Sequence, residues 1–459
     1  MKIGTHIKLK YAGLLILILF LFILAIQKAE AANAKFTPSI LADYNWDDNI
    51  LSVDPDQYDP IAMQWLDYLA GVDFSLKTRD TTTNIIGHVG YSQYIDASAN
   101  YKVQFPDTSL QRYSYLNLDL SGNFEYRKKG FSFDIADTIK RSRNFSDIFG
   151  GQENNFSNYY LYTDNLASVS ASYKTRTPLS IFVRYENQVT VFDQPVAQTR
   201  TMPDSYAHTV YIKPVYVVNP RMNVGLDVQG GQRVYSDAHY YVAGTRYDMK
   251  IADYDYVQAM AEVTYRLSTK ANLTADAGAY YRYFFNQDVA LQKLEDYTIP
   301  VGKIGFMQSV SYKYSITLDA LYSTNTYGTN LYFTYWQVDG GLKYYIAKPL
   351  YVDLLAIYKQ DYYDRFKLDL ERVWAHDRID NVFLGTAAVN WDVLRKRDQP
   401  YLTLSVTYQY QLNESNMNSR DDFLTTRTAM FGASTSYSTR VNSVSTQIKF
   451  FPTVFFGPR

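Results

Sequence analysis

Leu116-Asn117-Leu118-Asp119-Leu120-Ser121-Gly122-Asn123-Phe124-Glu125-Tyr126 decides the fold. Successive strand side chains point to opposite faces, so Leu116, Leu118, Leu120, Gly122, Phe124 and Tyr126 share one side, and Asn117, Asp119, Ser121, Asn123 and Glu125 share the other. One side suits lipid and the other suits water. Met222, Val224, Leu226 and Val228 alternate in the same way with Asn223, Gly225, Asp227 and Gln229, and Leu402, Leu404, Val406, Tyr408, Tyr410 and Leu412 repeat the pattern near the end. A chain written like this throughout, with Tyr or Phe near the segment ends, reads as all-β: a transmembrane antiparallel β-barrel with a polar lumen. A soluble sandwich would also alternate, but it would need a second sheet over its apolar face and shorter, more regular turns.

The connections fall into two kinds. Lys77-Thr78-Arg79, Arg127-Lys128-Lys129-Gly130, Lys174-Thr175-Arg176-Thr177-Pro178, Asn219-Pro220-Arg221, Ala347-Lys348-Pro349 and Arg395-Lys396-Arg397 are short, basic or Pro-containing, and read as periplasmic turns. Longer polar stretches read as outer loops: Asp47 to Pro60, Asp96 to Arg112, Ser142 to Asn158, Asp193 to Asp204, Ser236 to Ala252, Asn286 to Pro300, Asp361 to Arg378 and Asn413 to Leu424. The rhythm predicts about 18 strands, with roughly 16 to 20 allowed. Two places blur it. Val310 to Tyr322 alternates without a break where the loop rhythm requires a hairpin. Near the end the apolar set passes from odd positions (Phe431, Ala433, Thr435, Tyr437, Val441) to even ones (Val444, Thr446, Ile448, Phe450), which predicts either a turn near Arg440 or, as the better choice, a bulge in one long last strand. The bulge keeps the strand number even and both termini on the periplasmic side.

The beginning of the chain assigns the compartment. Lys2, His6, Lys8 and Lys10 precede an apolar run from Ala12 to Ile26, and Ala29-Glu30-Ala31 offers small residues for a signal peptidase cut. Residues 1–31 read as a cleaved signal peptide and 32–459 as a single barrel domain in the outer membrane of a Gram-negative-type cell. No later run is comparably long, so strands must do the spanning, and a closed barrel satisfies every backbone group.

Composition agrees. Tyrosine occurs 45 times and phenylalanine 25 times, as aromatic belts at two interfaces require. The mean hydropathy of -0.28 is polar for a membrane protein, because half of each strand faces water. There are no cysteines, which excludes disulfides and thiol chemistry. The 45 basic residues are matched by 46 acidic ones, and removing Lys2, Lys8, Lys10, Lys28 and Glu30 with the signal leaves a small acidic excess. Nucleic-acid binding finds no support in that balance.

At the mature start, Phe36-Thr37-Pro38-Ser39-Ile40 leads into Tyr44-Asn45-Trp46-Asp47-Asp48-Asn49-Ile50. This opening resembles that of the outer-membrane beta-barrel porin family associated with exosortase or exopolysaccharide systems. The resemblance implies a porin-like role, with polysaccharide export as its sharper form, and supplies no catalytic residues to carry over.

Catalysis needs a base held in reach of a nucleophile, and the mature chain offers His88, His208, His239 and His376. His88 and His208 fall inside strands as lumen or interface residues. His239 near Asp237 and His376 beside Asp377 are loop neighbours of a kind that chance supplies, so no catalytic residue is assigned and the chain reads as a non-enzyme. No metal-ligand spacing is present, Gly150-Gly151, Gly230-Gly231 and Gly340-Gly341 precede no helix, and no cofactor is expected.

Parity assigns Asp119, Glu125, Arg184, Glu186, Asp227, Glu262, Arg266, Asp276, Arg282, Lys343 and Asp353 to the lumen. Both signs on one wall mean water, ion pairs or both, and no single-sign ring predicts a strong ion preference. Tyr115, Tyr256 and Tyr280 are interior-capable and suit stacking on sugar faces, though tyrosines also anchor interfaces. The expected function is a passive channel for hydrophilic solutes, with an oligosaccharide or exopolysaccharide as its sharper substrate, in contact with outer-membrane lipid and with periplasmic export partners. The alternative is a structural or partner-binding barrel of a secretion or electron-conduit complex, its lumen plugged.

Overall fold

The computed structural model describes residues 33–47, 62–97, 114–142, 161–193, 204–236, 238–242, 245–249, 253–285, 288–289, 292–293, 296–309, 313–327, 331–363, 378–396, 399–415, 439–450 and 454–456. Among them, eighteen long strands follow one another: β1 (Asn33–Asp47), β2 (Met63–Lys77), β3 (Thr81–Ala97), β4 (Tyr115–Lys128), β5 (Phe131–Ser142), β6 (Tyr162–Lys174), β7 (Leu179–Phe192), β8 (Ser205–Asn219) and β9 (Met222–Tyr235). The second half is β10 (Tyr254–Ser268), β11 (Ala271–Phe284), β12 (Tyr297–Ser309), β13 (Tyr314–Tyr327), β14 (Leu331–Ala347), β15 (Leu350–Tyr363), β16 (Arg378–Lys396), β17 (Gln399–Ser415) and β18 (Thr439–Phe450, resumed at Val454–Phe456). Every strand pairs antiparallel with its sequence neighbours, and β18 returns to β1, with Ile40 opposite Phe450 and Phe36 opposite Val454 on one register. The sheet is closed, so no edge is left to pair with another chain. Two small hairpins, Ala238–Val242 with Thr245–Met249 and Asp288–Val289 with Gln292–Lys293, stand in the long connections.

Register turns the alternation into two faces all the way round. Thr37 pairs with Asp73, Asn84 with Asn123, Thr209 with Gly231 and Asp353 with Ala388, all on one face. The opposite face carries Ile40, Leu116, Val169, Val210, Leu226, Ile304, Leu318, Val389, Val406 and Ile448, each more than one third exposed. Leu118, in register with Arg141, lies on that apolar face as well. In a closed barrel the exposed apolar face can only be the outer one, in contact with lipid, and this places the protein in the outer membrane. The strand ends meet the interfaces, where Trp336, Tyr358, Tyr362 and Trp391 face outward.

The short turns lie together at one end. At one of them Lys129 and Gly130 adopt φ values of 49° and 82°, so the turn is built on a glycine that can take a left-handed backbone without strain. One open point is decided. The unbroken run from Val310 to Tyr322 is divided: β12 ends at Ser309 and β13 begins at Tyr314. Ser309 pairs with Ser315, so the same parity resumes after the turn and hides it from the alternation. No bulge interrupts Thr439–Phe450, which pairs with β17 without a register shift. The rest of the expected last strand, before Thr439, falls outside the described residues.

One side chain breaks the rule on the outer face. Among the described residues, the register leaves Asp137 as the one charged group facing outward in the middle of a strand, between Gly122 and Ala167. Its Oδ1 accepts a 2.6 Å hydrogen bond from Asn165, and its Oδ2 has no partner. Carboxylates on the lipid face of a barrel are destabilising at that depth. Asp137→Leu is therefore expected to raise the unfolding free energy in lipid vesicles by about 1–2 kcal/mol, read from urea titration. A loss of stability would mean that this face does not meet lipid.

Candidate functional site

The inner wall is the surface on which solutes can be handled. Register puts all eleven residues assigned by parity on that face, and it also shows whom they meet. Arg184 pairs with Glu186, and Lys213 reaches both Glu262 and Asp227, the latter at 3.9 Å. Lys343 stands 3.6 Å from Asp353, and Glu125 pairs with Arg127. Asp119 lies opposite His88 and Lys140, Asp276 lies opposite Lys303, and Lys303 is 3.7 Å from Asp319. Arg266 is exposed near the turn end of β10. Partly hydrated pairs of this sort contribute roughly 0–1 kcal/mol each, so their effect is to keep the wall wet.

A second group depends on register and was not found from the alternation. Tyr254 and Tyr256 on β10, Tyr280, Arg282 and Phe284 on β11, and Tyr297, Ile299 and Val301 on β12 form one cluster on the inner face, with Tyr235 against it. Arg282 is only 4% exposed and lies at its centre. Its guanidinium carbon sits 4.0 Å from the Tyr254 ring centre, 5.3 Å from that of Tyr280 and 5.4 Å from that of Tyr297. Nε and Nη2 donate to the Tyr280 hydroxyl at 2.9 and 2.7 Å, while Nη1 has no hydrogen-bond partner. Desolvated contacts between a cation and aromatic faces hold such a group at about 2 kcal/mol each. Beside it, Arg233 donates to Gln188 at 3.0 Å.

Arg233, Gln188, Glu186, Tyr211, Tyr256 and Tyr280 border a cavity of about 260 Å³. Tyr256 and Tyr280 are stacked at 5.8 Å, and the Tyr256 hydroxyl meets Thr209 at 2.7 Å across Gly231. That glycine is required, since a Cβ there would come within 2.1 Å of the His208 carbonyl oxygen. Aromatic faces beside amide, hydroxyl and guanidinium groups can hold polyhydroxylated or anionic solutes. Tyr115, the third interior-capable tyrosine, is on the inner face opposite Ser92.

Four strands further on, acidic groups collect. Lys359 and Asp361 pair at 2.8 Å, both buried, with Lys359 also 4.6 Å from the Tyr335 ring and Asp361 opposite Asp380. Half-way round from Arg282, Asp43 and Asp67 are direct cross-strand partners, held by Ser445 at 2.7 Å and by Asn45 at 2.9 Å, with Ser92 also donating to Asp67. Lys213, Arg233, Lys359, Asp361 and Asp380 share the inward parity of their strands, and that parity was the signal by which they could have been found.

The histidines separate. His88 is on the inner face, 3.7 Å from Asp73. His208 is on the outer face, where Tyr185 and, at 3.2 Å, Asn187 contact Nδ1 and the Tyr206 ring packs edge-on. His239 lies in the first small hairpin, and His376 falls outside the described residues. Among the described residues, no three His, Asp or Glu side chains converge as a metal site would need.

No protein-family model matches the chain, and no curated protein does. Solved structures similar to it include Pseudomonas aeruginosa OpdK with vanillate, at 10% identity and a TM-score of 0.44, covering 92% of this chain and 99% of that one. Acinetobacter baumannii OccAB2 shows 9% identity and a TM-score of 0.43, covering 93% and 98%. Pseudomonas aeruginosa OccK2 (OpdF) in complex with glucuronate shows 9% identity and a TM-score of 0.43, covering 92% and 98%.

Proposed function

We propose that this chain is a passive outer-membrane channel for small hydrophilic solutes. The observation that carries the reading is the closed eighteen-strand wall with polar groups on the inner face of every strand, since a barrel of that size encloses water unless something fills it. Solutes pass down their gradient, selected by width and by the groups on the wall, with no energy coupling.

The test is conductance of the purified chain in a planar bilayer. Steady open channels are expected. Silence would favour the other reading, a plugged barrel that serves a secretion or electron-conduit partner.

The stacked pair Tyr256 and Tyr280 makes a sugar the favoured solute, and the opening segment's resemblance to exopolysaccharide-associated barrels points the same way. Maltohexaose is expected to block the current, and Tyr256→Ala with Tyr280→Ala to weaken the block roughly threefold to tenfold, the value of one aromatic contact. Equal blockade in the variant would remove these rings from the solute path.

A further inference from the structure

We propose that the periplasmic mouth of the lumen is a binding site for acidic oligosaccharides. A cavity of about 1040 Å³ opens there, bordered by Lys313, Lys348 and Arg395 from the turn end and by Lys35 and Lys449 from the inward faces of β1 and β18. Two carboxylates, Asp73 and Asp392, stand against these five cations. Asp392 is taken up by Arg395 at 2.7 Å and by the Thr403 hydroxyl at 2.9 Å, and Asp73 lies 3.7 Å from His88. The mouth is therefore net positive, whereas the upper lumen carries Asp43, Asp67, Asp361 and Asp380. Low-dielectric walls around a cleft of one sign concentrate its counter-ion there.

Two features narrow the counter-ion to a sugar acid. Tyr345 and Tyr351 line the same cavity with ring centres 5.2 Å apart, giving apolar faces for pyranose rings beside the charges. Lys343 lies 4.3 Å from the Tyr351 ring centre, so cation and ring are already held together. Asn390, Ser405 and Gln447 add neutral partners for hydroxyl groups. The volume is at the upper end of the range for small-ligand pockets, about 300–1,000 Å³, which leaves room for several sugar units. Lipid phosphates of the inner leaflet do not explain Lys35 and Lys449, because their strand faces point into the lumen.

The site deepens the channel reading, on which it rests for access of the solute from the periplasm. Its test uses oriented single channels of the full protein and calorimetry on the same protein in detergent, with hexagalacturonate, maltohexaose and inorganic phosphate as probes. Hexagalacturonate added at the turn side is expected to block at a concentration about tenfold below that needed from the loop side or with maltohexaose, an advantage that falls with salt. The triple variant Lys35→Gln, Lys348→Gln, Lys449→Gln is expected to lose that advantage while still opening steady channels, which also shows that it has folded. Equal blockade by the neutral sugar, equal blockade from both sides, an unaffected triple variant, or displacement by phosphate at the same concentration would each overturn the proposal. Open channels with neither block nor heat of binding would sink the site and leave the channel standing. Silent channels whose binding heat is lost in the triple variant would do the reverse.

Discussion

Val406→Arg is expected to lower the unfolding free energy in lipid vesicles by about 2–4 kcal/mol, the cost of a cation on the lipid face of a barrel near the bilayer midplane. Val406 lies at the middle of β17, is 49% exposed, and shares the apolar face with Leu404 and Tyr408. Thr407→Arg is the matching control. Thr407 pairs with Ala388 and Ser445 on the inner face, where a long cation reaches water, so its effect is expected to stay within about 0.5 kcal/mol. Urea titration of both variants in the same vesicles measures the difference. Equal costs would mean that the two faces see the same medium.

Arg233→Glu is expected to shift the reversal potential of a salt gradient strongly toward cations. Arg233 borders the 260 Å³ cavity and donates a hydrogen bond to the neutral amide of Gln188. A unit charge acts on an ion about 8 Å away in water with ~0.5 kcal/mol. Reversing the charge doubles that and acts oppositely on potassium and chloride, so even after screening the permeability ratio should change roughly fivefold. Arg233→Gln should give about half of the shift in free energy. An unchanged potential in both variants would mean that ions do not pass this wall.

Alternation made much of the fold legible, because a side-chain period of two survives any error in locating strand ends. Leu116 to Tyr126 and Met222 to Gln229 could be divided into two faces without knowing their neighbours. Where parity carries across a turn, as between Ser309 and Ser315, the pattern contains no mark of the break.

The candidate site was legible one residue at a time and not as a group. Arg282 could be placed on the inner face by parity, but its contact with Tyr254 and Tyr297 requires the registers of β10 with β11 and of β11 with β12. The cavity at the turn end was further out of reach. Lys35 and Lys449 stand at opposite ends of the sequence, and only closure of β18 onto β1 brings them together.

The absence of cysteine permits a direct measurement of what lies on each side of the wall. Leu226→Cys and Asp227→Cys differ by one position on β9 and should point in opposite directions, one into lipid and one into water. With the protein in intact outer membranes and a membrane-impermeant maleimide outside, Asp227→Cys is expected to label and Leu226→Cys to label only after denaturation. Prompt labelling at position 226, with protection at 227, would contradict a barrel that holds water inside and lipid outside.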